Sequence, residues 1–245
     1  MEMWGKNVES VWRSANTLLE VGCKNTLVIL SGGMDSATCL ALVKYMKPKS
    51  MHAITFDYGQ KHNNETLQAQ EIANRFDVGC TVIDLNNLAD HFNTALGKNS
   101  TLEIPENHVE GEVPNTYVPF RNTIMLSIAA GYAESWGYEQ IVYGANVIDY
   151  SGYPDCRPEY IDEMNDVLRI HGSLSIQAPI ALLTKTDVVR LGEKLQVPWE
   201  LTWSCYRGGE KACGKCPSCK YRKMGFDGAQ VKDPITYEGP SDSQE

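Results

Sequence analysis

TLVILSGGMDSATCL, running from Thr26 to Leu40, is the stretch on which the fold turns. Thr26–Leu30 is a short continuous apolar run, the pattern of a strand buried on both faces. A glycine pair follows, and then Cys39, Leu42, Val43 and Met46 recur at the spacing of one helix face. A buried strand that ends in a glycine turn and opens a helix creates an anion site. The first helical N–H groups have no partner inside the helix, and the helix dipole adds partial positive charge. Gly32 and Gly33 let the backbone approach phosphate oxygens. Ser31 and Ser36 add hydroxyl donors, and Asp35 can hold a Mg²⁺ that bridges phosphates. The turn carries no lysine, so it is not the G-x-x-x-x-G-K-[ST] loop. The competing reading is an ordinary Gly-Gly turn with a serine cap. The full pattern SGGxDS between strand and helix favours a pyrophosphate loop.

Further strands and helices alternate outward from this unit. His52–Phe56 and Thr81–Leu85 read as strands, with Ala69, Ile72, Ala73 and Phe76 on a helix between them. Met125, Ile128, Ala129, Tyr132 and Trp136 form a helix closed by Gly137, and Gln140–Tyr143 is the next strand. Pro158 suits the first position of a helix that buries Ile161, Met164 and Leu168. A strand near Pro179–Leu183 and a helix through Val188, Leu191 and Leu195 complete the pattern. Alternation of this kind implies right-handed crossovers in an α/β domain, with a Rossmann-like, doubly wound, mostly parallel sheet. Residues 90–116 lack periodicity and are expected to form a long excursion or lid. Val8, Val11, Trp12, Ala15, Leu18 and Leu19 predict an amphipathic helix. The expected organisation is a helical extension over 1–25, the α/β domain over 26–200, a metal-binding region over 201–228 and a tail over 229–245.

The chain has 245 residues and a formal net charge of −9, with 42% hydrophobic residues. An acidic chain repels phosphate backbones at long range, which makes a polynucleotide substrate the weaker expectation and a small molecule the stronger. No apolar run is long enough to span a bilayer, and a cytoplasmic location is expected. Thiols stay reduced there, so the eight cysteines call for an explanation other than disulfides. Four of them, Cys205, Cys213, Cys216 and Cys219, are spaced C-x7-C-x2-C-x2-C, which suits a structural Zn²⁺ with a filled tetrahedral shell. An Fe–S cluster and metal-free thiols are the alternatives. Lys215, Lys220, Arg222 and Lys223 lend the region local positive charge.

Other segments are dense in chemically active side chains: FDYGQ at 56–60, VPFRN at 118–122, DYSGYPDCR at 149–157 and TWSCY at 202–206. The SGGMDS loop resembles that of the N-type ATP pyrophosphatases. The loop, these four segments and the cysteines together resemble the 7-cyano-7-deazaguanine synthase (QueC) family over about Thr26 to Phe226. The resemblance implies conversion of 7-carboxy-7-deazaguanine, ammonia and ATP to the nitrile through adenylated carboxyl and amide intermediates. It also implies Mg²⁺ with the ATP and a homodimer. No glutaminase domain is visible, so free ammonia or a partner supplies the nitrogen.

By the same resemblance Leu30, Ser31, Gly32, Gly33, Met34, Asp35, Ser36, Ala37, Thr38, Cys39 and Leu40 form the ATP-binding segment. Asp35, Arg121 and Lys185 are the catalytic candidates, the two cations neutralising the leaving pyrophosphate. Asp149, Asp155 and Arg157 are candidates for recognising the guanine-like edge or the carboxylate. Cys156 reads as a buried, inert thiol, since adenylate chemistry needs no thioester. Asp57 is a further candidate for Mg²⁺ or ribose contacts, and His62, near the ATP mouth, reads as a surface histidine. Two other functions compete: a related enzyme that couples a deazaguanine to a macromolecular acceptor, and an RNA-binding zinc protein.

Overall fold

Thr26, Leu27 and Val28 are all fully buried, as a strand covered on both faces requires. They lie in β1 (Asn25–Ile29) at the centre of the sheet. The computed structural model of the chain describes residues 24–59, 64–86, 88–106, 115–146 and 153–239. The amphipathic pattern at Val8–Leu19, His62 and Asp149 lie outside them.

The strands are β1, β2 (Ser50–Asp57), β3 (Gly79–Asp84), β4 (Gln140–Val142) and β5 (Ser175–Gln177). They pair in the order β3-β2-β1-β4-β5, and every pairing is parallel. The helices are α1 (Met34–Tyr45), α2 (Asn64–Arg75), α3 (Arg121–Trp136), α4 (Pro158–His171), α5 (Lys185–Lys194) and α6 (Pro217–Ala229). Strand side chains alternate between faces. Val28, Ala53 and Val142 pack with α1, α2 and α5. Leu27, Ile54, Ile141 and Ile176 pack with α3 and α4. The result is the expected doubly wound α/β sheet. Its order reverses between β1 and β4, so the loops leaving those two strands part and open a crevice at their carboxyl ends.

Four expectations change. Helix α1 is not buried on one face only: every residue from Ser36 to Val43 is buried, because other elements enclose it on all sides. The strand expected near Pro179–Leu183 lies earlier, at Ser175–Gln177. Proline has no N–H for a ladder. The apolar residues after Pro179 instead close turns, Ala181 N–H to Ala178 O at 3.1 Å and Leu183 N–H to Ile180 O at 3.0 Å. The described part of the aperiodic segment is packed in place. It carries a 3₁₀ turn at Leu88–His91, and Ala89, Ala95, Leu96 and Ile104 join the core. Finally, Arg222 is no part of a basic surface, being 1% exposed on α6 and paired with Asp233 at 2.8 Å.

Candidate active site and metal centre

The β1–α1 turn folds on itself through its serines. Ser31 N–H donates to Ser36 Oγ at 3.1 Å, and Ser36 Oγ donates to Gly33 O at 3.1 Å. Gly32 sits at φ +79°, in the left-handed region, and a Cβ there would lie 2.5 Å from the Glu65 carbonyl oxygen at the start of α2. Glycine is the residue for both reasons. The loop leaving β4 comes equally close: a Cβ on Gly144 would lie 2.8 Å from Ser36 N. The two loops thus form opposite lips of the crevice at the switch point.

Within the crevice is a cavity of about 300 Å³. Of the expected ATP segment, Ser31, Gly33, Met34, Asp35 and Ser36 line it. Leu30, Ala37, Thr38, Cys39 and Leu40 are buried behind it, and Gly32 is wedged against Glu65. Lys185 reaches the cavity from the first position of α5. Its Nζ donates to both Asp35 carboxylate oxygens, at 2.9 and 2.7 Å. The helix starts there because Thr184 caps it, its Oγ1 accepting from Asp187 N–H at 3.1 Å. Arg121 enters from the first position of α3, and its Nη1 donates to Tyr58 Oη at 3.4 Å. The three catalytic candidates therefore line one cavity.

The substrate candidates are not brought together in the same way. Asp155 is buried, and its Oδ2 accepts from Asn122 N–H at 3.2 Å, while its own carbonyl accepts from Asn122 Nδ2 at 3.2 Å. A carboxylate placed there satisfies the free N–H groups at the start of α3 and complements its dipole. Asp155 thereby fixes the helix that carries Arg121. Arg157 is exposed at the start of α4. Neither of the two lines the cavity. Asp57 Oδ1 accepts from Gly59 N–H at 3.2 Å and shapes the turn after β2. Cys156 does line the cavity, and burial pushes its thiol up to about 11, with Asp155 adding to the effect. It is a neutral thiol at neutral pH, not a nucleophile.

Several lining residues carried no individual sequence signal. Tyr58, Tyr153 and Tyr206 belong to the FDYGQ, DYSGYPDCR and TWSCY segments, but Tyr221 and Glu65 stood out by nothing except neighbourhood. Glu65 is the most distinctive of them. It lies in the first turn of α2, and burial pushes its carboxyl up to about 7 against the opposing pull of Arg121.

The four cysteines converge beside this cavity. All four Sγ atoms are buried and within 4.8 Å of one another. The N–H groups of Cys213 (to Cys205 Sγ, 3.3 Å), Lys215 (to Cys213 Sγ, 3.4 Å) and Cys216 (to Cys213 Sγ, 3.3 Å) point at sulfurs, a backbone arrangement that favours thiolate. The donor set suits a metal ion. Helix α6 starts at the third cysteine and carries the fourth. Its residues Pro217, Ser218, Tyr221 and Arg222 form part of the cavity wall. Behind them Arg222 donates to Thr202 Oγ1 (2.7 Å), Trp199 O (3.1 Å) and both oxygens of Asp233. The segment after α6 is tied back by Ala212 N–H to Thr236 O at 3.0 Å and Glu238 N–H to Ala212 O at 2.8 Å.

Comparison with known proteins agrees with this layout. The family model described as "Queuosine biosynthesis protein QueC" matches residues 25–230. The chain is 46% identical to the 7-cyano-7-deazaguanine synthase of Thermoplasma acidophilum over 227 residues, covering 88% of this chain and 92% of that protein. It is also 46% identical to the synthase of Oceanobacillus iheyensis, over 87% of this chain and 98% of that one. Among solved structures, NMN synthetase from Francisella tularensis shares the fold with TM-score 0.52 at 15% identity, over 91% and 86% of the two chains. The U34-tRNA thiolase NcsA from Methanococcus maripaludis, solved with its [4Fe-4S] cluster, does so with TM-score 0.52 at 14% identity, over 90% and 70%.

Proposed function

This chain belongs to the QueC family of queuosine-biosynthesis proteins, and on that premise we propose that it uses ATP to convert 7-carboxy-7-deazaguanine and ammonia to 7-cyano-7-deazaguanine. The observation that carries the proposal is a single cavity that joins the SGGMDS turn to Asp35, Lys185 and Arg121.

A carboxylate is a poor electrophile at neutral pH. Attack of its oxygen on the α-phosphorus of ATP expels pyrophosphate and leaves an acyl adenylate. Ammonia displaces AMP to give the amide. A second ATP activates the amide oxygen in the same way, and loss of AMP and protons gives the nitrile. The turn's remaining N–H groups and the exposed Ser31 side chain are the groups that would face the phosphates. Asp35 would hold a Mg²⁺ accompanying ATP, and Lys185, which meets Asp35 in the cavity, would neutralise charge on the leaving pyrophosphate. Arg121 completes the cationic wall. The tyrosines offer flat, partly apolar surface for a bicyclic base, with hydroxyls for its edge.

For the cysteines we propose Zn²⁺. Four sulfurs at Zn–S distances of about 2.3 Å stand about 3.8 Å apart, and Cys213 Sγ and Cys219 Sγ stand 3.9 Å apart. A cubane cluster binds each cysteine to a different iron and spreads the sulfurs farther. The ion would be structural and hold α6 against the cavity.

The test is a mass-spectrometric assay of purified protein with ATP, Mg²⁺, ammonium and 7-carboxy-7-deazaguanine. Amide and then nitrile are expected, and both are lost in Asp35→Ala. Intact ATP and no amide from a folded, metal-loaded sample would refute the proposal and direct attention to a macromolecular acceptor.

A further inference from the structure

Ammonia is mostly ammonium at neutral pH, and ammonium has no lone pair with which to attack. An enzyme that consumes it needs a group that binds the cation and removes its proton beside the electrophile. Each later step to nitrile also releases N–H protons. The transfers described above, which rest on the proposed synthase reaction, therefore leave one role unfilled. Asp35 is engaged by Lys185, Asp155 caps α3 behind the wall, and Cys156 holds its proton.

We propose that Glu65 is the general base of the nitrogen-transfer steps. Three observations place it there. It lines the cavity with Tyr58, Arg121 and Asp35. Its backbone carbonyl packs where Gly32 would otherwise carry a Cβ, so its position is locked to the ATP turn itself. Among the described residues no hydrogen bond or ion pair occupies its carboxylate, in contrast to Asp35. The charged and titratable groups around it are Arg121 from α3, Tyr58 from the end of β2, and the Asp35–Lys185 pair across the cavity. Its proton affinity, set by burial, lies near neutrality, where a carboxylate can both accept a proton and release it to water between steps.

The steps balance. The Glu65 carboxylate takes a proton from ammonium: an N–H bond breaks, its pair stays on nitrogen, and an O–H bond forms on Glu65. The nitrogen pair forms the C–N bond to the acyl carbon, and the C–O bond to AMP breaks with its pair going to AMP. A second proton leaves nitrogen to give the neutral amide. After the amide oxygen is adenylated, two more N–H protons leave as the C–O bond breaks, giving nitrile and AMP. Glu65 discharges each proton to solvent before accepting the next.

The test uses Glu65→Gln, close in shape, and two measurements. The first is ATP–pyrophosphate exchange driven by 7-carboxy-7-deazaguanine without ammonium, which reads the first adenylation alone. The second is amide and nitrile formation against pH at fixed total ammonium. The variant is expected to keep exchange within about three-fold and to lose amide formation at pH 7 by about 10²–10⁴-fold. Wild type should fall below about pH 7 and level off above it, whereas the variant should rise with free ammonia across the whole range, with no break near 7. The deficit should also shrink as pH rises and free ammonia supplies itself. Amide formation within two-fold of wild type at pH 7, or exchange lost to the same degree as amide, overturns the proposal. Absence of exchange in the wild-type protein sinks the synthase reading and this proposal with it.

Discussion

Two turns meet at the same cavity, and they are held by opposite means. The Ser31–Ser36 turn is fastened by its own backbone and hydroxyls and is seated on a helix buried on all sides. The cysteine region also has apolar neighbours, among them Trp203, Ala212, Ile235 and Tyr237. It is gathered by four sulfurs, and its helix is pinned by one buried guanidinium that reaches Thr202, Trp199 and Asp233. The first turn is a product of the core, while the second brings together four thiols that could hold a metal ion and a buried ion pair. The catalytic geometry requires both, because α6 packs against the start of α5, with Gly225 and Gly228 lying against Lys185 and Thr186.

The sharpest way to break the comparison is to challenge the metal proposed for the four cysteines. Chelation, or Cys216→Ser, withdraws a binding free energy of about 10–16 kcal/mol in comparable sites. Thermal melts with and without chelator should show early loss of α6 and of activity while the sheet persists. Next comes Arg222→Ala, which strands Asp233 and is expected to cost about 3–5 kcal/mol in urea denaturation. On the other turn, Lys185→Ala should leave the melting temperature nearly unchanged and lower kcat by about 10²–10³. Glu65→Gln should stabilise. The folded carboxyl titrates near 7, above its ordinary 4.5, so its contribution is present at pH 4 and is lost as pH rises through 7. The variant should match wild type at pH 4 and exceed it on the order of 1–3 kcal/mol at pH 8. The finest comparison lies within the glycine pair. Gly33→Ala meets its nearest neighbour at 3.5 Å and should change stability by less than about 1 kcal/mol. Gly32→Ala combines a positive φ with a backbone clash and should cost clearly more.

The first turn was legible because its signal is local. An apolar run, a glycine pair and a helix lie within fifteen consecutive residues, and the parallel sheet follows from alternation. The cysteines were legible by spacing. What escaped were features set by distant partners. Nothing in the sequence around Arg222 says that Asp233 bends back to bury it. Asp155 sits in a segment rich in binding groups, yet its carboxylate is drawn to the N-terminus of α3. Glu65 lies in a polar run, NETLQAQE, and gains its character only when Gly32 and Arg121 close over it. β5 escaped for a different reason: a three-residue edge strand with one buried side chain, Ile176, leaves no periodicity, and the stronger apolar run beside it turns out to be turns.

The Lys185–Asp35 pair joins residues 150 positions apart. Contacts of such separation carry a large closure entropy and form late in folding. During synthesis the residues of the Ser31–Ser36 turn are made long before Lys185 leaves the ribosome, and α6 and its cysteines come later still. The turn proposed to meet phosphate is thus made in a chain that does not yet hold its lysine. Competence for the proposed ATP chemistry is set at the end of assembly, when α5 delivers Lys185 and α6 docks against it.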